Sequence, residues 1–388
     1  MSKDKDYRRH QRTHSFFVWL LTPLLKRKFN IELDNCADIE GPYLVLANHN
    51  SDWDPIFVSL TMRRQLYYVA SEHIFRLGLP SRLLERYFAP IPRTKGSVES
   101  GAALSVLRHL RKGHSVGLFA EGNKSFNGLT CAIHPSTAKL VRSAGVKLVT
   151  LRVEGGYFTT PRWGRGIRRG RMKLGRVGVY SPEEVKAMSL GEIDALLRRD
   201  LFEDAYARQE TERARFRGKR RAELLESTLF ACPACGGIGT LRGAGDKFAC
   251  ACGLVAVYTE TGLLDGAPYE TVTAWDLWQR GELERRIEAA GGDEALCADA
   301  GTALRRYGSD HREEERVEGA LTLYRDRFAV ADRVLPFEHI SGLSIYGRNN
   351  LVFTFDGDHW EITGADGFSA LKYEYAYEFA KRRAGKTV

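Results

Sequence analysis

Between about residues 30 and 180 the chain alternates short apolar runs with stretches of helical period, and this alternation restricts the fold more than any other feature. YLVLA (43–47), QLYYVA (65–70), SVGLFA (115–120) and VKLVTLRV (146–153) read as buried strands. PIFVSLTMRR, PSRLLERYF, SGAALSVLRHLRKG and PSTAKLVRSAG read as the helices between them, several ending in glycine or basic residues as helix C-termini do. The expected class is α/β, a mostly parallel sheet flanked by helices. Reactive groups in such folds gather on loops at the carboxyl ends of the strands.

Two polar loops follow directly on expected strands. NHNSDWDP (48–55) carries an imidazole at His49 and a carboxylate at Asp54. Neutral imidazole accepts a proton near neutral pH when its other nitrogen is held as a donor. After a turn, an aspartate five residues on can reach that second nitrogen, giving a dyad with His49 as base and Asp54 as orienter. Asp54 followed by Pro55 is also an ordinary helix start, N-cap then N1. The two readings are compatible.

The second loop, in LFAEGNKSF, places Glu121, Gly122, Asn123, Lys124 and Ser125 beyond a strand. A glycine that lets backbone approach closely, with lysine and serine beside it, suits a phosphate. APIPRTKGS adds Arg93 and Lys95 in a further loop.

NHNSDWDP, PIPR and EGNKS, in that order, resemble the glycerolipid acyltransferases of the 1-acylglycerol-3-phosphate acyltransferase type. The resemblance covers roughly residues 14 to 200. It implies transfer of a fatty acyl group from a thioester, acyl-CoA or acyl carrier protein, to the hydroxyl of a lysophospholipid, lysophosphatidate to phosphatidate foremost. His49 would be the base and Asp54 its partner. Arg93 with Glu121, Gly122, Asn123, Lys124 and Ser125 would bind the acceptor, and no covalent acyl-enzyme is implied. The chain departs from the family pattern at Lys124, where arginine is commoner, at Ser71 and Glu72, where a lysine is frequent, and at Thr150, where proline is usual.

The net charge of +9 favours anionic partners. FFVWLLTPLL (16–25) is about half the length of a spanning helix and is flanked by Arg8, Arg9 and Arg12 and by Lys26, Arg27 and Lys28. It reads as an interfacial helix on an anionic membrane, with a helix packed on its own domain as the alternative. The expected location is cytoplasmic, peripheral on the inner face of the cell membrane. Of seven cysteines, Cys36, Cys131 and Cys297 are scattered, which suits a reducing compartment.

The other four, Cys232, Cys235, Cys250 and Cys252, form two close pairs and read as a structural four-thiolate zinc site with turns at Gly236 and Gly253. Zinc ribbons often bind nucleic acid, but this hairpin carries few basic or aromatic residues, so nucleic acid is not an expected partner. The expected limits are an N-terminal interfacial segment (1–29), the acyltransferase domain (30–228), the ribbon (229–262), a helical linker (263–295) and a mainly antiparallel β domain with a terminal helix (296–388), resembling a pleckstrin-homology domain. RQETERARFRGKRRAELLE (208–226) reads as a basic helix, and PRWGRGIRRGRMK (161–173) as a basic loop that either is solvated or meets phosphates. A membrane-docked scaffold without activity is the alternative function.

Overall fold

The computed structural model describes residues 2–71, 79–93, 100–308 and 312–385. The chain divides into two compact units, one of Met1–Pro161 with Ile167–Arg217, the other of Arg162–Gly166 with Gly218–Val388.

The first unit opens with the helix α1 (Ser2–Phe29), which runs through Pro23. There follow β1 (Ile31–Leu33), β2 (Tyr43–Ala47), α2 (Asp54–Met62), β3 (Leu66–Ser71), α3 (Leu79–Phe88), β4 (Ile91–Arg93), α4 (Ser100–Arg111), β5 (Ser115–Phe119), α5 (Ser136–Ala144), β6 (Lys147–Glu154), the single turn α6 (Gly156–Thr159) and β7 (Met172–Tyr180). Three helices close the unit, α7 (Pro182–Ala187), α8 (Leu190–Leu201) and α9 (Ala205–Glu212). The sheet order is β1-β7-β6-β2-β5-β3-β4. Every neighbouring pair is parallel except β6 with β7.

Strand β2 lies in the middle, and its five residues are all buried because the sheet is covered on both faces. Tyr43, Val45 and Ala47 join the core beneath α1 and α2, whereas Leu44 and Leu46 join the one under α4, α5 and α8. Two covered faces remove the polar half of the usual alternation, which explains the uniformly apolar YLVLA.

Helix α1 is two-faced. Leu25 and Phe29 enter the core and His10 and His14 are buried, while Phe16, Trp19, Leu20 and Leu24 stand exposed. Among the described residues no helix is long and apolar enough to cross a membrane.

The basic run 208–226 is not one helix. α9 ends at Glu212, its C-cap Arg213 takes a left-handed φ of 45°, and the chain continues irregularly to a short 3-10 turn at Leu225–Ser227. Phe216 accompanies the break: its side chain is buried and packs at a tilt against Phe158 with centroids 5.0 Å apart, a contact made on an irregular path.

The second unit holds a four-stranded antiparallel sheet of β8 (Leu241–Ala244), β9 (Lys247–Cys250), β10 (Val255–Tyr258) and β11 (Leu264–Asp265), then α10 (Val272–Ala289). A seven-stranded antiparallel sheet follows, of β12 (Cys297–Tyr307), β13 (Glu313–Leu323), β14 (Arg327–Val330), β15 (Arg333–Pro336), β16 (Ile340–Tyr346), β17 (Asn350–Phe355) and β18 (Asp358–Thr363), with α11 (Ala370–Arg383) last. Trp360, Tyr373, Tyr375 and Tyr377 are core residues here, and the three tyrosine hydroxyls donate to Asp299, Asp276 and the Ile340 carbonyl.

The pentapeptide Arg162–Gly166 belongs to this unit, and Arg162 and Trp163 of the basic run 161–173 are buried in it rather than solvated. Trp163 is fully buried against Tyr258, and Arg162 donates to the carbonyls of Gly347 (2.6 Å) and Ile345 (3.0 Å).

Candidate active site

The chain leaves β2 at Ala47 and turns at once. Asn48 is buried and pins the exit: its Nδ2 donates to the Val153 carbonyl (2.9 Å) and its Oδ1 accepts the Val153 amide (2.7 Å). Glu203 stands behind it, 3.4 Å from Nδ2 and held by Gly155 and Arg208. Burial pushes the Glu203 carboxyl up to about 7.

Asp54 is the hub of the loop. Its Oδ2 accepts the amides of Asn50 (2.6 Å) and Ser51 (2.8 Å), and Oδ1 accepts the Ser51 hydroxyl (2.7 Å). His49 Nδ1 lies 2.9 Å from Oδ2. The N-cap of α2 is Trp53, Asp54 is the first helical residue, and no side chain caps the helix. The capping role expected of Asp54 is therefore not the one it plays, because its carboxylate is spent on the preceding loop.

A carboxylate can only accept, so Nδ1 carries the hydrogen and Nε2 presents a lone pair. Asp54 is completely buried, but the His49 side chain is 19% exposed. Phe119, the last residue of β5, stacks on the imidazole with centroids 4.3 Å apart and so fixes the ring plane.

The second loop leaves the neighbouring strand at the same sheet edge. Gly122 takes a φ of +64°, which glycine adopts without strain. Glu121 Oε1 accepts the His49 amide (2.6 Å) and Oε2 the Cys131 amide (2.6 Å), so this carboxyl braces the two loops together. Burial pushes it up to about 8, against the pull of the two amides. Ser125 donates its amide to the His49 carbonyl (3.1 Å), and its hydroxyl accepts the Gly128 amide (2.9 Å). Asn123 Oδ1 accepts the Lys124 amide (3.2 Å), and Lys124 Nζ reaches Asp52 (2.8 Å) from the first loop.

The structure thus brings His49, Asp54 and the 121–125 loop into one cluster. The backbone of Arg93 closes β4 opposite Ser71 in register. Lys95 and Glu72 lie outside the described residues. Thr150, the departure on β6, is buried and donates to Asp200 (2.7 Å).

A cavity of about 450 Å³ opens beside this cluster. Its walls are mainly apolar, with Val69, Val106, Leu107, Leu118, Phe119 and Leu140, and Glu121, Gly122, His134 and Lys139 supply polar atoms. A base with a fixed lone pair next to an apolar cleft suits proton removal from a hydroxyl whose reaction partner carries a hydrocarbon chain. Sequence reasoning did not single out Asn48, Ser51, Phe119 or Glu203. The first two sit inside the quoted motif, but Glu203 has no local signature.

In the second unit, Cys232, Cys235, Cys250 and Cys252 converge with all four sulfurs within 4.8 Å of one another. Gly236 and Gly253 both take positive φ at the turns, and the Gly237 amide points at Cys235 Sγ (3.4 Å).

The acyltransferase family model matches residues 28–154, the stretch that holds both loops, so the first unit carries an acyltransferase domain. No curated protein matches the chain. Among solved structures, the 1-acyl-sn-glycerophosphate (LPA) acyltransferase PlsC from Thermotoga maritima is similar at 16% identity and a TM-score of 0.39, over 48% of this chain and 80% of that one.

Proposed function

We propose, from the acyltransferase domain of residues 28–154 as premise, that this protein moves a fatty acyl group from a thioester to the hydroxyl of a lysophospholipid, with lysophosphatidate as acceptor and phosphatidate as product. One observation carries the reading: His49 Nδ1 is anchored at 2.9 Å on a fully buried Asp54, which leaves Nε2 as a positioned proton acceptor.

In this mechanism Nε2 takes the acceptor's O–H proton as that oxygen attacks the thioester carbonyl. The new C–O bond gives a tetrahedral oxyanion, which collapses with cleavage of C–S. The departing thiolate takes the proton back from the imidazolium, and the ring returns to its starting state. Acyl-CoA and acyl carrier protein are both suitable donors, with the acyl chain in the apolar cavity beside Phe119. Arg93, Gly122, Asn123 and Lys124 hold the acceptor's phosphate and glycerol, while Glu121 and Ser125 keep their loop in register with His49.

The exposed stripe of Phe16, Trp19, Leu20 and Leu24 on α1 faces the membrane, and basic residues at both ends meet anionic headgroups. This makes the protein peripheral, on the inner face of the cell membrane. The four cysteines hold a structural zinc. The Sγ pairs Cys232–Cys252 and Cys235–Cys250 are 3.8 and 3.7 Å apart. That is close to the edge of about 3.8 Å of a tetrahedron with Zn–S bonds of about 2.3 Å.

The test is acyl transfer by the full chain in liposomes, wild type beside His49→Ala. Donors are acyl-CoA and acyl carrier protein thioesters, and acceptors are lysophosphatidate, glycerol 3-phosphate and other lysolipids. The expected result is phosphatidate from the wild type and a loss of about 10²- to 10⁴-fold in the folded variant. Equal activity in the two proteins would overturn the role of His49.

A further inference from the structure

The second unit contains a cavity of about 340 Å³, lined by residues of β8 and the segment before it, by the start of β12, and by the turn into α11. Ser369 and Lys372 place the N-terminal end of α11 on its wall. Ser369 holds the N-cap position, yet its side chain caps nothing. It is 3% exposed, and its Oγ has no hydrogen-bond partner. A serine at this position ordinarily accepts an amide of the first turn. Here the hydroxyl and the first-turn amides of Ala370, Leu371 and Lys372 are all without an acceptor among the described residues. Helix amides point outward from the N-terminal end and carry the positive end of the helix dipole.

Each acidic group around the cavity has at least one donor of its own. Asp299 accepts from Lys372 (2.5 Å) and from the Tyr373 hydroxyl (2.6 Å). Asp366 is ion-paired with Arg165, and Glu226 accepts the Gly243 amide (3.0 Å). The Ser369 hydroxyl and the first-turn amides of α11 are unpartnered donors on the same wall. Arg242 adds to them: its Nη1 is held by the carbonyls of Gly239 (2.8 Å) and Leu241 (2.6 Å), which fixes the guanidinium beside the cavity.

We propose that this cavity is an anion site for a phosphomonoester, whose oxygens accept from Ser369 Oγ, the α11 amides and the Arg242 guanidinium. The volume exceeds that of a bare phosphate, and Phe230, Ile238 and Phe368 line the cavity beside these donors. The group taken is thus a phosphate on a small organic body, either a soluble phosphomonoester or a lipid headgroup. No residue of the site belongs to the His49 or Glu121 loops, so it stands or falls independently of the acyl-transfer reading.

The test uses Ser369→Asp in the full chain. Aspartate caps a helix as well as serine does, so α11 is retained while the new carboxylate occupies the anion's place. Thermal midpoints are followed against inorganic phosphate, with Arg242→Gln alongside. Phosphate is expected to raise the wild-type midpoint, with an apparent affinity about tenfold weaker in Ser369→Asp. Arg242→Gln should show a smaller loss. Absence of any wild-type response, or a full response in Ser369→Asp, would overturn the proposal. Phosphatidylcholine vesicles with and without phosphatidate identify the source. Weaker retention of Ser369→Asp on the phosphatidate vesicles assigns a lipid headgroup, and unchanged retention with a lost phosphate response assigns a soluble phosphomonoester.

Discussion

Asp54 gathers four donors onto two oxygens, and replacing one oxygen by an amide nitrogen sets N–H against N–H. Asp54→Asn is therefore expected to lower kcat by about 10²-fold or more and to cost about 1–3 kcal/mol, read by acyl transfer and by urea unfolding. Glu121 supplies a pH signature. Its folded-state carboxyl titrates near 8 against an ordinary 4.5, so folding takes up a proton between these values. The stability it contributes is complete below about 4.5 and is lost as pH rises through about 8. Urea midpoints at pH 5, 7 and 9 should fall for the wild type relative to Glu121→Gln, and a constant difference would contradict this assignment. The spacing of His49 and Asp54 was legible because both ends of the contact lie in one eight-residue loop. The brace from Glu121 to His49 spans 72 positions and that from Asn48 to Val153 spans 105, and no local pattern encodes such pairings.

Helix α1 carries its apolar stripe outward, so Trp19→Glu, at a side chain 73% exposed, should reduce binding to anionic vesicles while leaving the unfolding midpoint unchanged. Vesicle co-sedimentation beside thermal unfolding checks both. The paired capping boxes at Ser181–Glu184 and Ser189–Glu192 start α7 and α8. Ser189→Ala should cost about 1 kcal/mol by chemical denaturation. The central strands announced themselves because two covered faces demand continuous apolar residues, and YLVLA matches β2 residue for residue. β7 did not, since MKLGRVGVY places arginine and glycine on a half-exposed face and runs against its neighbour β6. β4 is only three residues long, too short for any period to show. The last arm of the 208–226 run looked helical from its charges, but Phe216 needed burial that a straight solvated helix does not give.

The chain as a whole unites an acyltransferase domain with a second unit whose integrity should depend on metal and on a borrowed peptide. One zinc per chain is the expected stoichiometry, and its removal by a chelator should lower the thermal midpoint, with elemental analysis reporting the release. Trp163 is enclosed in the second unit beside Tyr258, and Trp163→Ala should destabilise that unit by about 3–5 kcal/mol in denaturant unfolding. The sequence organisation hid this element, because Arg162–Gly166 falls 51 positions before Arg217, where the first unit ends, and reads as part of a basic loop. Its placement bears on how such a protein is inherited. A gene segment encoding everything from Gly218 onward would carry the second unit without its indole, and one encoding everything before would export an orphaned tryptophan. A single crossover at Gly218 would therefore part Trp163 from the unit that encloses it.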